Sequence, residues 1–176
     1  DDFLKTLREV IFKNKRLYAD IGLNGGGWHI HKQGGKLNTH LDYSLHPKLG
    51  LQRKLNIIIY LNSNWKKEWD GNLGLWSNES NKNPGNLVKE IVPKFNRAVL
   101  FDTTQNSWHG LPNPLKCPKN EFRKSIAVYY LCKPPKNVNK RGKALFAPTN
   151  AQLNDKSVID LIKKRSDIKT ASTTYE

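Results

Sequence analysis

The chain has 176 residues, 37% of them hydrophobic and 10% aromatic, with a formal net charge of +15 and two cysteines. That composition suits one globular domain with its own core and excludes a disordered chain or a disulfide scaffold. No apolar run approaches the roughly 20 residues that a membrane-spanning helix needs, so no membrane partner is expected.

Residues 3 to 13 carry Phe3, Leu4, Leu7, Val10 and Ile11 on one face of a predicted amphipathic helix, with Asp1 and Asp2 at its positive end. The cluster Gly25-Gly26-Gly27 reads as a turn into strands; no Gly-Lys-Ser/Thr follows, so it is not a phosphate loop. Short β-branched and aromatic segments come next, at about 28–31, 36–42, 53–61, 71–76, 87–92, 97–102, 106–110 and 123–132. Turn chemistry separates them at Gly34-Gly35, His46-Pro47, Asp70-Gly71 and Asn83-Pro84-Gly85. Strands at this spacing predict a mostly β sandwich or jelly roll with flanking helices. After Pro134-Pro135 comes a basic linker, then a second helix from Asn154 or Asp155 with Val158, Leu161 and Ile162 on one face. Both helices are expected on one outer face of the sheets. The expectation is a single domain over 1–176, with a β core at about 28–132 and a helical C-terminal extension at about 150–166.

Neither Cys117 nor Cys132 sits in a Cys-x-x-Cys pair, which argues against a zinc site and favours reduced thiols. No signal peptide is visible, and a cytoplasmic location is expected. The chain begins at Asp1 and contains no methionine, which leaves a removed leading segment open. The positive charge favours anionic partners. The lysines are nevertheless spread along the whole chain, with no aromatic-basic interleave, so a solvated basic surface is preferred over a nucleic-acid interface.

Three signals carry chemistry. In His40-Leu-Asp42 the imidazole and carboxylate are two residues apart, so on a strand they share a face. Alone, the pair reads more readily as a surface pair on an edge strand. His109 lies far downstream, in Ser107-Trp108-His109-Gly110. Two histidines and one carboxylate on one face form the triad of non-haem iron(II) sites, which leaves positions on the metal open. Arg123 shares a strand face with Ser125, Ala127 and Tyr129. It either snorkels from a strand end or points inward, where a buried guanidinium needs an anionic partner.

In that order, these signals resemble the Fe(II)/2-oxoglutarate dioxygenases, and within them the prolyl-4-hydroxylase-like branch. The resemblance spans about 28–132 and is clearest in RKLNIIIYLNSNW (53–65), WDGNLGLW (69–76), PKFNRAVLFD (93–102) and the Arg123 strand. It implies a double-stranded β-helix (a jelly roll of cupin-like form), with Fe(II), 2-oxoglutarate and O2 as cofactors and ascorbate a candidate reductant. It implies a hydroxylase that couples oxidative decarboxylation of 2-oxoglutarate to substrate hydroxylation.

By position, His40, Asp42 and His109 look like the iron ligands. Arg123 looks like the anchor of the distal 2-oxoglutarate carboxylate, with Ser125 and the Tyr60 hydroxyl as helpers. His31 stands where the family commonly has a tyrosine, and is either a cosubstrate donor or a core histidine. His29 is expected on the opposite face from His31 as a structural residue, His46 is expected exposed, and Trp65, Trp69 and Trp76 are expected to pack. Peptidyl proline is the nearest substrate analogy, with a small metabolite or sugar also open. The alternatives are a cupin-type metal-binding jelly roll without 2-oxoglutarate and a nucleic-acid-directed oxygenase.

Overall fold

The β-branched and aromatic runs of the middle of the chain pair into two facing antiparallel sheets. The computed structural model describes residues 2–11, 16–80, 83–104, 106–141 and 143–166. Along it run α1 (Asp2–Ile11), β1 (Leu17–Ala19), β2 (Gly27–His31), β3 (His40–Leu41), β4 (Gln52–Tyr60), β5 (Leu73–Asn78), β6 (Pro84–Ile91), β7 (Ala98–Asp102), β8 (His109–Gly110), β9 (Arg123–Cys132), β10 (Leu145–Phe146) and α2 (Lys156–Ser166). The first sheet has the order β1-β9-β4-β7, with β2 also paired to β9; the second has the order β10-β3-β8-β5-β6. The crossovers between them make the jelly roll. Among the described residues no helix is long and apolar enough to cross a membrane.

Alternation along the two long strands decides what each face meets. On β9, Arg123, Ser125, Ala127 and Tyr129 are buried toward the second sheet. On β4, Ile58 and Tyr60 face the same interior and pack with Ala127 and Leu73. The opposite faces of these strands carry Leu55, Ile57 and Tyr130, which α1 covers with Leu7 and Leu4. Each fully buried leucine of this kind contributes about 1.5–3 kcal/mol by leaving water.

Several sequence expectations are corrected. The strand expected at 36–42 pairs regularly only at His40–Leu41, because the carbonyls of Leu37 and Thr39 accept instead from Leu111 and Ala147. The expected 71–76 and 87–92 strands run from Leu73 to Asn78 and from Pro84 to Ile91. Strands β1 and β10 were not foreseen; β1 pairs with the edge of the long β9, and β10 with the equally short β3. The helices do not share one outer face: α1 lies on the first sheet and α2 meets β10 of the second. Residues 12 and 13 of the first expected helix lie outside the described residues. Cys117 and Cys132 are both buried and form no disulfide with each other.

Candidate metal and oxo-acid site

Strand pairing brings the three distant residues together. His40 on β3 is the register partner of His109 on β8, and Asp42 follows β3 directly, two residues beyond His40. All three are buried, and one ligand atom from each lies within 4.8 Å of the others. The His40 Nε2 is 3.7 Å from Asp42 Oδ1, and the His109 Nε2 is 3.9 Å from Asp42 Oδ2.

The imidazoles are oriented from behind. His40 Nδ1 lies 2.9 Å from the Asn38 carbonyl and His109 Nδ1 lies 2.8 Å from that of Ser107. A carbonyl only accepts, so each Nδ1 carries a proton, and Nε2 is the ring nitrogen turned toward Asp42 and left to bind a metal. Phe146 stacks on His40 and Phe101 meets the His109 ring edge-on, which keeps water from the back of the rings. Burial, and then the nearby His109, lower the His40 pKa to about 4. Burial alone would raise the Asp42 carboxyl, but His109, His40, Arg53 and the Tyr129 hydroxyl outweigh it and hold it below its ordinary value. Neutral imidazoles and an ionised carboxylate are the protonation states that bind a divalent metal.

A second polar cluster sits further along β9. Arg123 is only 4% exposed, so the inward orientation holds and the snorkelling alternative does not. Its Nε donates to the Gly71 carbonyl at 2.7 Å, and its guanidinium lies over the Tyr60 ring at 5.1 Å. Gly71 has φ +76°, and a Cβ there would come within 3.0 Å of the arginine Cδ, so the Asp70-Gly71 turn requires glycine for this approach. Among the described residues no carboxylate pairs with Arg123; the buried Ser125 hydroxyl lacks a hydrogen-bond partner, and the buried Tyr60 hydroxyl faces the guanidinium. A buried guanidinium with two hydroxyls beside it fits an anionic ligand bearing a carboxylate.

His31 pairs in register with Arg123. Its Nδ1 is buried without a partner, and burial, then Arg123, then His29 lower its pKa to about 4. His29 was expected on the opposite face. Positions two apart on a strand share a face, and His29 is half-buried beside His31 while Trp28 and Ile30 are exposed. Burial and Arg123 lower its pKa too. His46 is also corrected: it is buried, with Nε2 3.6 Å from Asp20 Oδ1 and Nδ1 accepting from the Lys48 and Leu49 amides. Trp65 and Trp69 pack edge-to-face beside Leu111 and Leu115, and Trp76 packs against Leu41 and Trp108, as expected.

Sequence reasoning missed three neighbours of Asp42. The Tyr129 hydroxyl donates to Asp42 Oδ2 at 3.0 Å, Arg53 Nη1 stands 4.0 Å from Oδ1, and Arg141 donates twice to the Asp42 carbonyl, at 3.0 and 2.8 Å. The inward face of β9 pointed to Tyr129, but nothing local marked the two arginines.

The profile of the 2OG-Fe(II) oxygenase superfamily matches residues 26–131. Prolyl 3-hydroxylase OGFOD1 of Xenopus laevis is 31% identical over 91 residues, covering 49% of this chain and 17% of that protein. Its Mus musculus counterpart is 28% identical over 87 residues, covering 47% and 16%. The chain therefore spans a small part of the length of these curated relatives. Among solved structures, a prolyl hydroxylase from Trichoplax adhaerens, in complex with a hypoxia inducible factor oxygen degradation domain peptide fragment, superposes with a TM-score of 0.51. It shares 22% identity, over 74% of this chain and 52% of that one. A prolyl 4-hydroxylase from Phytophthora capsici gives a TM-score of 0.50 at 20% identity, over 94% and 50%. At these identities the structural likeness speaks to the fold.

Proposed function

The chain belongs to the 2OG-Fe(II) oxygenase superfamily, and on that footing we propose that it hydroxylates a peptidyl proline, with His40, Asp42 and His109 as iron ligands and Arg123 as the anchor for 2-oxoglutarate. The observation that carries this reading is the pairing of the two buried clusters in one barrel. One offers two buried imidazoles and a carboxylate; the other offers a buried guanidinium that no described carboxylate balances, beside the Tyr60 and Ser125 hydroxyls. An iron-binding jelly roll that takes no oxo-acid would leave Arg123 as an uncompensated buried charge, which is costly.

When bound, Fe(II) with 2-oxoglutarate and O2 supplies the oxidising power for hydroxylating a C–H bond as the oxo-acid becomes succinate and CO2. The residues of this chain hold and orient. The Asn38 and Ser107 carbonyls fix the imidazole tautomers, and Phe101 and Phe146 exclude water behind them. Arg123 would hold the distal carboxylate, with Tyr60, Ser125 and His31 as donors beside it. Keeping water out limits oxidation to the substrate.

The peptidyl-proline choice rests on the relatives' activities. It is tested by incubating the protein with Fe(II), 2-oxoglutarate and proline-containing peptides, then reading succinate and a one-oxygen mass gain on proline. Succinate with no modified peptide, but with a modified sugar, metabolite or nucleic acid, would replace the substrate class. No succinate with any substrate would sink the oxygenase reading of these residues.

A further inference from the structure

Strand β2 lies at an edge of the first sheet, and its backbone is only half used. Along β9 successive residues turn their backbone groups to opposite sides. Lys124 donates its N–H to Asn62 Oδ1 and accepts from the Leu61 N–H on the β4 side, whereas the Tyr129 carbonyl accepts from Asp20 on the side of β1 and β2. The odd positions of β9 therefore face β2, and their register partners Gly27, His29 and His31 direct their backbone groups to β9. Trp28 and Ile30 direct theirs the other way, where no strand lies among the described residues. Their side chains are 67% and 60% exposed on the outer face, and the turn before β2 adds the exposed Ile21 and Leu23. Proteins ordinarily blunt such an edge with charge or proline. The outer strand β6 of the second sheet does so with Pro84, Lys89 and Glu90; β2, with the sequence GWHIH, carries neither a lysine, an acid nor a proline.

We propose that β2 is a docking edge for an extended acidic segment of another polypeptide, which joins the first sheet as a further strand. The row of backbone groups at Trp28 and Ile30 selects an extended partner, because a strand places its own donors and acceptors at matching intervals. The exposed Trp28 and Ile30 side chains select apolar residues at the partner's alternate positions. Charge selects the acid. From Arg16 to Lys36 the one acidic residue is Asp20, which is buried against His46, while Arg16, Lys32 and Lys36 are exposed. On β9 the exposed Lys124 stands beside Ile30 as its register partner. A second copy of this chain would bring the same cations and another net charge of +15 to the contact, which opposes self-pairing. A strand added here borders His29 and His31 at the rim of the barrel and uses none of the metal ligands, so the proposal stands apart from the choice of substrate.

The probe is a dye-labelled peptide of repeating Glu-Val, titrated into the full chain and followed by fluorescence anisotropy, with amide hydrogen exchange read on the same pair. The peptide should bind, slow exchange at the Trp28 and Ile30 amides, and dissociate as salt rises. With the valines beside Trp28 and Ile30, the valine amides are the ones that bond to β2. Methylating the valine nitrogens should therefore weaken binding about tenfold or more, while methylating the glutamate nitrogens, which face away, should change it little. Ile30→Pro deletes a donor on the protein side without touching a bond to β9, and a free edge tolerates proline. It should weaken the peptide about tenfold while the melting temperature stays close to wild type. If that variant melts early, the two methylated peptides still decide. Equal binding of the valine-methylated peptide, or of a Lys-Val peptide, overturns the proposal. So does exchange at Trp28 and Ile30 that the peptide leaves unchanged, or no binding up to about 1 mM, the weak end of specific recognition. Protection of these two amides in the protein alone, where sedimentation shows a dimer, would assign the edge to a second copy and overturn the acidic partner.

Discussion

Replacing Arg123 by alanine removes the cation from the inner end of the barrel and leaves the Gly71 carbonyl without its donor. With Nε committed to Gly71, the outer guanidinium nitrogens remain for the distal carboxylate of 2-oxoglutarate. Each charge-assisted bond is worth about 1.5–3 kcal/mol. Water entering the space vacated by the side chain recovers part of that, so the alanine variant should bind 2-oxoglutarate about one to three powers of ten more weakly. Arg123→Lys keeps a charge but neither the fork nor the bond to Gly71, and should fall between the two. Metal affinity should be unchanged in both, since Arg123 is no ligand. The assay is an anaerobic titration of 2-oxoglutarate into the iron-loaded protein, followed by the metal-to-ligand charge-transfer band. Wild-type affinity in Arg123→Ala would refute the argument, because the anchor would then lie elsewhere.

His40→Ala and Asp42→Ala should each abolish iron-dependent turnover while the protein stays folded by circular dichroism; wild-type iron affinity in both would contradict the ligand assignment. In the metal-free protein His40 and His31 have pKa values lowered from 6.5 to about 4. The unfolded chain therefore binds more protons in that interval, and stability present above pH 6.5 is lost as pH falls toward 4. For the fully buried His40 the loss is about 3 kcal/mol; a urea midpoint that does not move between pH 7.5 and 4.5 would contradict it. Despite the +15 charge, binding to DNA or RNA should be weak, blind to sequence and steeply reduced by salt. Tight, sequence-specific binding at physiological salt in a mobility-shift assay would favour a nucleic-acid substrate instead.

How much of the site was legible depended on whether the signal was local. The alternation through Arg123, Ser125, Ala127 and Tyr129 follows from strand geometry alone, and the structure places that face as expected, while Asp42 lies just past β3 and still turns inward with His40. The same rule, misapplied, put His29 on the wrong face; it lies inward with His31. Arg53 was not legible as buried, because what buries it is distant in sequence: a loop tyrosine at 43 and a strand tyrosine at 129. His46 stands in a loop before Pro47, where exposure is the usual outcome, and is buried only because Asp20 meets it from another turn. Strands of two or three residues, such as β1 and β10, are too short to show a period; the edges of β9 and β3 create them.

Strand β9 is where substitution and length come under different constraints. It is paired on both sides, to β4 and to β1 and β2, so it cannot bulge freely to absorb an insertion. Its odd positions from Arg123 to Tyr129 face the interior, and Val128 and Tyr130 on the other face lie beneath α1. Exchanging one side chain for another alters one contact. Removing or adding a single residue between Arg123 and Tyr129 would rotate everything beyond that point by half a turn. Arg123 would then face the aliphatic layer, or Tyr129 would abandon Asp42, depending on which half kept its register. Variation within this lineage should therefore accumulate as side-chain exchanges along β9 and as changes of length in the connecting loops, with the seven-residue interval from Arg123 to Tyr129 held fixed.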